Sequence, residues 1–281
     1  MARKKRRNNK LLKSKNYSIL SKKRTINRIT TPSRYGNEQV DRNTHRELPE
    51  PTPKRTAIRP FIITCNKRMD TFRKFVDSYL TVKSSMKRPI IYYDGEGEEY
   101  HRLIDSLDPV EKIKQCNKGL QEKAIWEFPR IIKEKYSNEY VLFLEDDIVF
   151  SSKFKTAIWK AENGIRNYTA KENTVDLLTL YGSGDCYWPS DNSQFFYKFN
   201  GHDYYGNLAV IFSPKLMSWW YENRDRVWHN EYAGWDIKIG FIFQNNGFNF
   251  YCTTQHFVQH QVGHSVISGN HKEQQSSLFV E

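Results

Sequence analysis

The alternation of strand and helix patterns after residue 59 constrains the fold of this chain most. Residues 60–65 (PFIITC) form a short apolar run, as expected of a strand buried on both faces. Apolar residues then recur at intervals of three and four over 72–80, which predicts an amphipathic helix. A second apolar run follows at 89–93 (PIIYY). Because parallel strands need a crossover connection, this order predicts the start of a parallel α/β sheet.

The remaining patterns extend the same architecture. Further strands are predicted at 140–144, 175–181, 207–212 and 248–252, and further helices at 120–136, from Pro214 and at 235–246. We expect Asp70 and Ser213 to cap their helices, Pro129 to kink or split its helix, and Gly247 to end the last one. The predicted fold is α/β, with a mixed, mainly parallel central sheet flanked by helices.

The net charge of +12 is concentrated at the start of the chain. Residues 1–59 hold 18 of the 44 basic residues and 4 of the 32 acidic ones, and their only aromatic residues are Tyr17 and Tyr35. This composition predicts a disordered basic arm and linker over 1–58, followed by a catalytic domain over 59–281. Such an arm binds nucleic acid through its phosphates, or it serves as a solubilising tail or an address signal.

Apolar segments and cysteines indicate the compartment. The arm has no apolar stretch of a secretory signal, and no run approaches the ~18 residues of a membrane span. The four cysteines are far apart and form no Cys-x-x-Cys pair, which argues against a zinc ribbon or a disulfide framework. We therefore expect a soluble, cytoplasmic protein that is not secreted, in the host cytoplasm if the chain is viral.

Three consecutive acids directly follow the predicted strand 140–144. Glu145, Asp146 and Asp147 lie where open α/β sheets bind their ligands, at the carboxyl end of a strand. Carboxylates this close together repel each other, and a divalent cation relieves the repulsion. Oxygen ligands favour magnesium or manganese. The alternative is a solvated loop after a strand.

The segment 144–148 (LEDDI) resembles the Asp-x-Asp motif, in its Glu-Asp-Asp form, of glycosyltransferases with the nucleotide-sugar fold called GT-A. The resemblance extends over about 59–269. Glycosyltransferases of this general kind include viral and phage enzymes. It implies a GT-A-like, Rossmann-like sheet, and that Asp147 ligates the metal on the donor diphosphate. It also implies that Glu145 and Asp146 face the ribose and the sugar of the donor.

Other segments match this family by order and context. Thr64, Arg68 and Asp94 follow the first two strands, where such enzymes receive the nucleoside; turn chemistry is the alternative. Tyr205 and Gly206 resemble the glycine loop that faces the acceptor, and a plain entry to a strand is equally common.

Asp236 occupies the place of the family's catalytic base, which predicts inversion at the sugar, with Trp235 beside it in the acceptor site. Asp236 could also be a helix cap, which would leave the stereochemistry open. The segment 257–265 resembles a Val-Gln-His-x-x-Gly segment of several such transferases, whose histidine helps to hold the metal or the diphosphate. His260 is the candidate for that histidine. A zinc site on a helix formed by His256, His260 and His264 is discounted, because the surrounding residues favour extended chain.

The resemblance implies a metal-dependent, inverting glycosyltransferase that moves a sugar from a nucleotide-sugar to an acceptor hydroxyl. Among nucleotide-sugars, the resemblance favours a UDP-sugar as the donor. Two acceptors stay open: a hydroxylated base in DNA, which the arm favours, and a glycan or glycoprotein. A catalytically idle nucleic-acid-binding or virion protein is an alternative of another class. A two-metal phosphodiesterase would need more carboxylates and histidines than this cluster provides.

Overall fold

A computed structural model of the protein describes residues 56–115, 120–169, 174–181, 195–204, 206, 208–229, 235–261 and 279. All of them belong to the compact unit Pro51–Glu281. The arm over 1–55 lies outside the described residues, so its predicted disorder stays a prediction. Across the described part of the chain, no helix is both long enough and apolar enough to span a lipid bilayer.

Ten strands occur in the described residues, and eight of them form one sheet. The strands are β1 Arg59–Cys65, β2 Ile90–Asp94, β3 Glu111–Lys114, β4 Val141–Glu145, β5 Ile148–Phe150, β6 Leu177–Thr179, β7 Phe196–Phe199, β8 Ala209–Phe212, β9 Phe250–Thr253 and β10 Val258–His260. The large sheet has the order β3-β2-β1-β4-β8-β6-β9-β7. β5 and β10 form a separate two-stranded antiparallel ribbon.

The large sheet is mainly parallel, as predicted. β1 pairs in parallel with both β2 and β4, and β2 with β3. β8 runs antiparallel to β4 and β6, and β7 runs antiparallel to β9. Because β8 is reversed, its start lies at the same edge of the sheet as the carboxyl end of β4. The segment before β8 and the Glu-Asp-Asp segment are therefore neighbours.

Helices cover both faces of the sheet. They are α1 Met69–Val82, α2 Glu98–Ser106, α3 Leu120–Lys135, α4 Phe154–Thr169, α5 Pro214–Glu222, α6 Arg224–Trp228 and α7 Trp235–Asn245. Alternate residues of β1 enter two separate cores: Ile62 packs with α1, α2 and α4, whereas Phe61 and Ile63 pack with α3, α5, α6 and α7. The apolar run of β1 is therefore buried on both faces, as its sequence predicted.

Several local signals act as expected. Four residues of the predicted stripe, from Phe72 to Tyr79, are buried on α1 together with Val82, whereas Leu80, which was predicted to lie on the same stripe, is exposed. The Ser213 hydroxyl accepts a hydrogen bond from the Leu216 N–H at 3.1 Å, which caps α5. Gly247 follows α7 with a φ of +80°, a conformation that glycine adopts without strain.

Two local predictions were wrong: the cap at Asp70 and the split of the helix at Pro129. Asp70 lies inside the first turn of α1 and pairs with Arg73, and it does not cap the helix. α3 continues past Pro129 to Lys135, because a proline removes one hydrogen bond and the buried Phe128 and Ile132 hold the helix on the sheet; the predicted kink stays a prediction. Thr56–Ile58, which the prediction left in the arm, pack onto the domain: Thr56 donates to the Ser85 carbonyl, and Ile58 is buried.

Candidate functional site

The Glu-Asp-Asp segment forms the tight connection between β4 and β5. Glu145 is the last residue of β4, and Asp146 and Asp147 form the turn that leads into Ile148. Only 2% of Asp146 and 7% of Asp147 is exposed. A solvated loop would leave such acids exposed, so these two carboxylates are part of a built structure at the carboxyl edge of the sheet.

Asp146 ties this turn to the loop that follows β1. Its Oδ2 accepts hydrogen bonds from the Thr64 hydroxyl at 2.8 Å and from the Cys65 backbone N–H at 3.2 Å. Its Oδ1 accepts from Nη2 of Arg68 at 2.8 Å. Both oxygens of Asp146 are thus bound within the protein. The hydrogen bonds of Asp146 hold the two loops together. The predicted contact between Asp146 and the sugar donor stays a prediction.

Asp147 lies between two potentially cationic side chains. Its Oδ2 accepts a hydrogen bond from Nη1 of Arg68 at 2.8 Å and lies 3.3 Å from Nε2 of His260. Its Oδ1 is buried and has no hydrogen-bond partner among the described residues. A buried carboxylate oxygen without a partner in the protein is costly, and such an atom can accept a hydrogen bond or bind a cation.

The ribbon of β5 and β10 brings His260 to Asp147. In its register His260 lies opposite Ile148, the residue after Asp147. The next residue, Gln261, donates its backbone N–H to the Asp147 carbonyl at 2.7 Å. Its side-chain amide donates to the carbonyls of Thr71 and Ile148, each at 3.1 Å. Gln261 therefore joins the ribbon to α1 and fixes the backbone on both sides of the site.

The two adjacent carboxyl groups have opposite pKa shifts. Burial raises the pKa of Asp146 to about 6, and Arg68 only partly offsets this effect. Burial also opposes ionisation of Asp147, but hydrogen bonding to His260 and the charge of Arg68 lower its pKa below the ordinary value. Although burial disfavours the charge of Arg68, Asp146 and Asp147 raise its pKa. Of the two carboxyl groups, Asp147 therefore ionises at the lower pH, and the ionised form is the one that can bind a cation.

The residues predicted for the acceptor side meet at the neighbouring strand. Oδ2 of Asp236 accepts a hydrogen bond from the Gly206 N–H at 3.1 Å, and its Oδ1 accepts from the N–H of Ile237 at 2.9 Å. Gly206 has a φ of +90° and lies just before β8. The Glu145 N–H donates to the Leu208 carbonyl, which connects this segment to the end of β4. Asp236 thus binds one N–H at the start of its own helix and also holds the glycine segment.

The structure brings some predicted site residues together and leaves others undescribed. Thr64, Arg68, Asp146, Asp147 and His260 form one hydrogen-bonded cluster. Asp94 ends β2 opposite Cys65, beside that cluster, and is followed by Gly95 at a φ of +142°. Tyr205 lies outside the described residues, and only the backbone of Trp235 is described, as the first residue of α7.

Two of the three histidines spaced by four residues, His256 and His260, are described by the structure, and neither lies on a helix. His260 is in β10 and His256 is in extended chain, where it bridges to Phe279; His264 lies outside the described residues. Burial lowers the pKa of His256 to about 4. Its Nε2 lies 3.8 Å from Sγ of the buried Cys252. The two histidines that the structure describes therefore lie in extended chain, as their surrounding residues predicted.

The residues present fit a cation site that the substrate completes. No group of three or more histidine, cysteine, aspartate or glutamate side chains suited to a metal occurs in the described part of the chain. Asp147, with one oxygen unpaired, and His260 are two adjacent potential ligands. Magnesium and manganese commonly bind through one or two protein groups together with substrate phosphates and water. The pair fits that kind of site.

Comparison with known proteins gives no family. No protein-family model matches the chain, and no curated protein matches it in sequence. Among solved structures, a 4-diphosphocytidyl-2C-methyl-D-erythritol synthase from Anaerococcus prevotii matches with a TM-score of 0.42 and 14% identity, over 72% of this chain and 87% of that chain. An inositol-1-phosphate CTP transferase from T. maritima matches with a TM-score of 0.40 and 11% identity, over 71% of this chain and 86% of that chain. At these values neither likeness bears on the activity of this chain.

Proposed function

We propose that this protein is a divalent-metal-dependent glycosyltransferase that moves a sugar from a nucleotide-sugar to an acceptor hydroxyl. The main support is the convergence of three distant segments at the carboxyl edge of the sheet. Arg68 follows β1, Asp147 follows β4 and His260 ends β10. The side chains of Arg68 and His260 nevertheless both lie within hydrogen-bonding distance of the Asp147 carboxylate. Ligands of open α/β sheets bind at this edge, and a diphosphate needs such cationic and metal-binding groups.

On the donor side, Asp147 and His260 would hold a manganese or magnesium ion. Such an ion, when bound, neutralises the charge that grows on the departing diphosphate. Thr64, Arg68 and Asp94 lie at the ends of β1 and β2, next to the carboxylates, and we assign the nucleoside to this side. A UDP-sugar is the first donor to test, because the resemblance to the GT-A family points to it.

In the proposed reaction, Asp236 is the base. As the acceptor oxygen attacks the anomeric carbon, its proton passes to a carboxylate oxygen of Asp236, and the bond between that carbon and the diphosphate oxygen breaks. Gly206 fixes the orientation of Asp236 through its N–H. One direct displacement of this kind inverts the configuration of the sugar. A base must reach the acceptor proton directly or through one water.

Turnover of two variants tests this assignment. We expect Asp147→Ala and Asp236→Asn each to lower kcat/KM about 100-fold or more, since a metal ligand or a general base contributes on this order. Asp236→Asn should leave donor binding unchanged. Asp77→Asn, at an exposed position of α1, is the matched control. Wild-type rates in both site variants would remove the assignment.

Product analysis separates glycosyl transfer from the alternatives. With manganese and a panel of UDP-sugars, a glycosyltransferase slowly releases nucleoside diphosphate and free sugar even without acceptor. Release of sugar 1-phosphate would indicate nucleotidyl transfer instead. An idle nucleic-acid-binding or virion protein would leave every donor intact.

For the acceptor, we propose a hydroxylated base in DNA ahead of a glycan or glycoprotein. The support for DNA is the basic arm of the sequence, whose charge attracts a polyanion. Offering hydroxymethylpyrimidine DNA and a set of glycans with one labelled donor decides between them. Label found only in the glycans would overturn the choice of DNA and leave the proposed transfer reaction intact.

A further inference from the structure

Arg68 binds the two carboxylates of the site at once. Nη2 donates to Asp146 and Nη1 to Asp147, each at 2.8 Å. A planar guanidinium spans two carboxylates in this way, whereas the ammonium of a lysine is a point charge. A cation that balances Asp146 and Asp147 is therefore part of the chain itself.

This arrangement leaves two polar atoms unpaired. The Arg68 Nε–H and Oδ1 of Asp147 are buried and have no hydrogen-bond partner among the described residues. A buried donor and a buried acceptor without a partner in the same network are each unfavourable. The network is thus satisfied only in part, and it has an anion-binding group and a cation-binding group still to fill.

A divalent cation and Arg68 compete for the same carboxylate. Both are attracted by Asp147 and repel each other, and at short range in a buried site this repulsion is weakly screened. The side chain of Arg68 is 23% exposed, so one part of it reaches solvent. α1 begins directly after Arg68, and the start of a helix favours an anion.

We propose that Arg68 is an exchangeable internal cation, which neutralises Asp147 when no divalent cation is bound and moves to the diphosphate of the donor when a divalent cation binds. The proposal rests on the function proposed above and adds that the binding of the cation and the binding of the nucleotide are coupled through Arg68. The cation alone binds weakly, because it has to displace Arg68. In the presence of a nucleoside diphosphate the displaced guanidinium gains a new partner, so cation and nucleotide strengthen each other's binding.

Calorimetric titration of the full chain tests this with manganese alone, with UDP alone and with both. In Arg68→Gln we expect manganese alone to bind about tenfold more tightly, because the competing charge is gone, and UDP with manganese to bind about tenfold more weakly. The two changes have opposite signs. A variant that merely damaged the site would weaken both.

Arg68→Lys keeps a charge but cannot bridge two groups, and it serves if the glutamine variant folds poorly. It should bind manganese alone as the wild type does and lose part of the mutual strengthening with UDP. Arg102→Gln, on the exposed surface of α2, is the control and should change neither titration.

The outcomes separate this inference from the proposed function. If the wild type binds neither manganese nor UDP, the proposed function fails. If the wild type binds both, but Arg68→Gln binds manganese alone no more tightly than the wild type, the exchange by Arg68 is wrong and the glycosyltransferase proposal stands.

Discussion

At the scale of single residues, adjacent carboxylates of one turn have different tasks because their surroundings differ. Asp146 is bonded by Thr64, Cys65 and Arg68 and joins the loop after β1 to the turn after β4. Asp147 keeps one oxygen open and has His260 beside it. Consecutive acids in a sequence look equivalent, and here only the partners supplied by other segments distinguish them.

The raised pKa of Asp146 predicts a specific dependence of stability on pH. Its pKa is about 6 in the folded protein and about 4 in an unfolded chain, so between these values the folded state binds more protons and stability falls as the pH rises. The difference in unfolding free energy between wild type and Asp146→Asn should decrease by about 2 kcal/mol from pH 4.5 to 7.5. Urea unfolding at several pH values measures it.

Asp77→Asn provides the comparison for this pH series. Asp77 is exposed on α1, and the decrease for Asp146→Asn should exceed any change seen for Asp77→Asn over the same range. A flat curve for Asp146→Asn would show that burial does not raise the pKa of Asp146.

At the scale of elements, the ribbon of β5 and β10 is the device that completes the site. The amide of Gln261 bonds one carbonyl on α1 and one on β5. In Gln261→Ala these carbonyls lose their donor, and we expect the unfolding free energy to fall by about 1–3 kcal/mol. Because His260 would lose its support, manganese-dependent activity should fall about tenfold.

Gln255→Ala, at an exposed position before β10, is the matched control and should alter neither quantity. Loss of stability with unchanged activity in Gln261→Ala would contradict the view that the ribbon positions His260.

A second device at this scale is the close packing of α7 against the short 3-10 helix Gly201–Asp203. A Cβ atom at Gly240 would lie 2.2 Å from the carbonyl oxygen of Gly201, and backbone cannot move aside as a flexible side chain does. Gly240→Ala should therefore destabilise the protein by about 1–3 kcal/mol. It should also lower activity, because α7 carries Asp236 one turn earlier. Thermal unfolding and turnover measure the two effects.

Ile237→Ala changes an exposed position of the same helix, and its unfolding temperature should stay close to that of the wild type. If Gly240→Ala were equally harmless, the close approach of α7 to the 3-10 helix would not be needed for the fold.

At the scale of the whole molecule, the excess of positive charge lies in the arm, and the rest of the chain is nearly balanced. Residues 1–55 hold 17 of the 44 basic residues and 4 of the 32 acidic ones. Deleting them should lower the affinity for DNA at least about tenfold at low salt and make its salt dependence shallower, since fewer phosphates are neutralised. The unfolding temperature should stay unchanged, because both cores lie within the described part of the domain. Unchanged affinity and salt slope would show that the arm does not bind nucleic acid.

The sequence alone determined the class of the fold and six of the eight strands of the large sheet, because period and composition record burial. The apolar runs became β1, β2 and β4, the stripe from Phe72 to Tyr79 became part of the buried face of α1, and Ser213 became a helix cap. The helices α2 and α4 were not predicted. Short or polar elements such as β3 (EKIK), β5 and β10 were missed, since three or four residues hold too little periodicity to stand out. Their pairing depends on neighbours that are distant in the sequence.

Only the tertiary structure decided which residues of the site are hydrogen-bonded to one another. The sequence predicted which residue types would lie at the strand ends, because parallel strands deliver their carboxyl ends to one edge. It did not predict that Arg68 bridges two carboxylates, that Gln261 fastens the ribbon, or that Asp236 holds Gly206. Each of these bonds joins residues at least 30 positions apart in the chain. Local periodicity reports the burial of a segment and carries no information on which distant segment packs beside it.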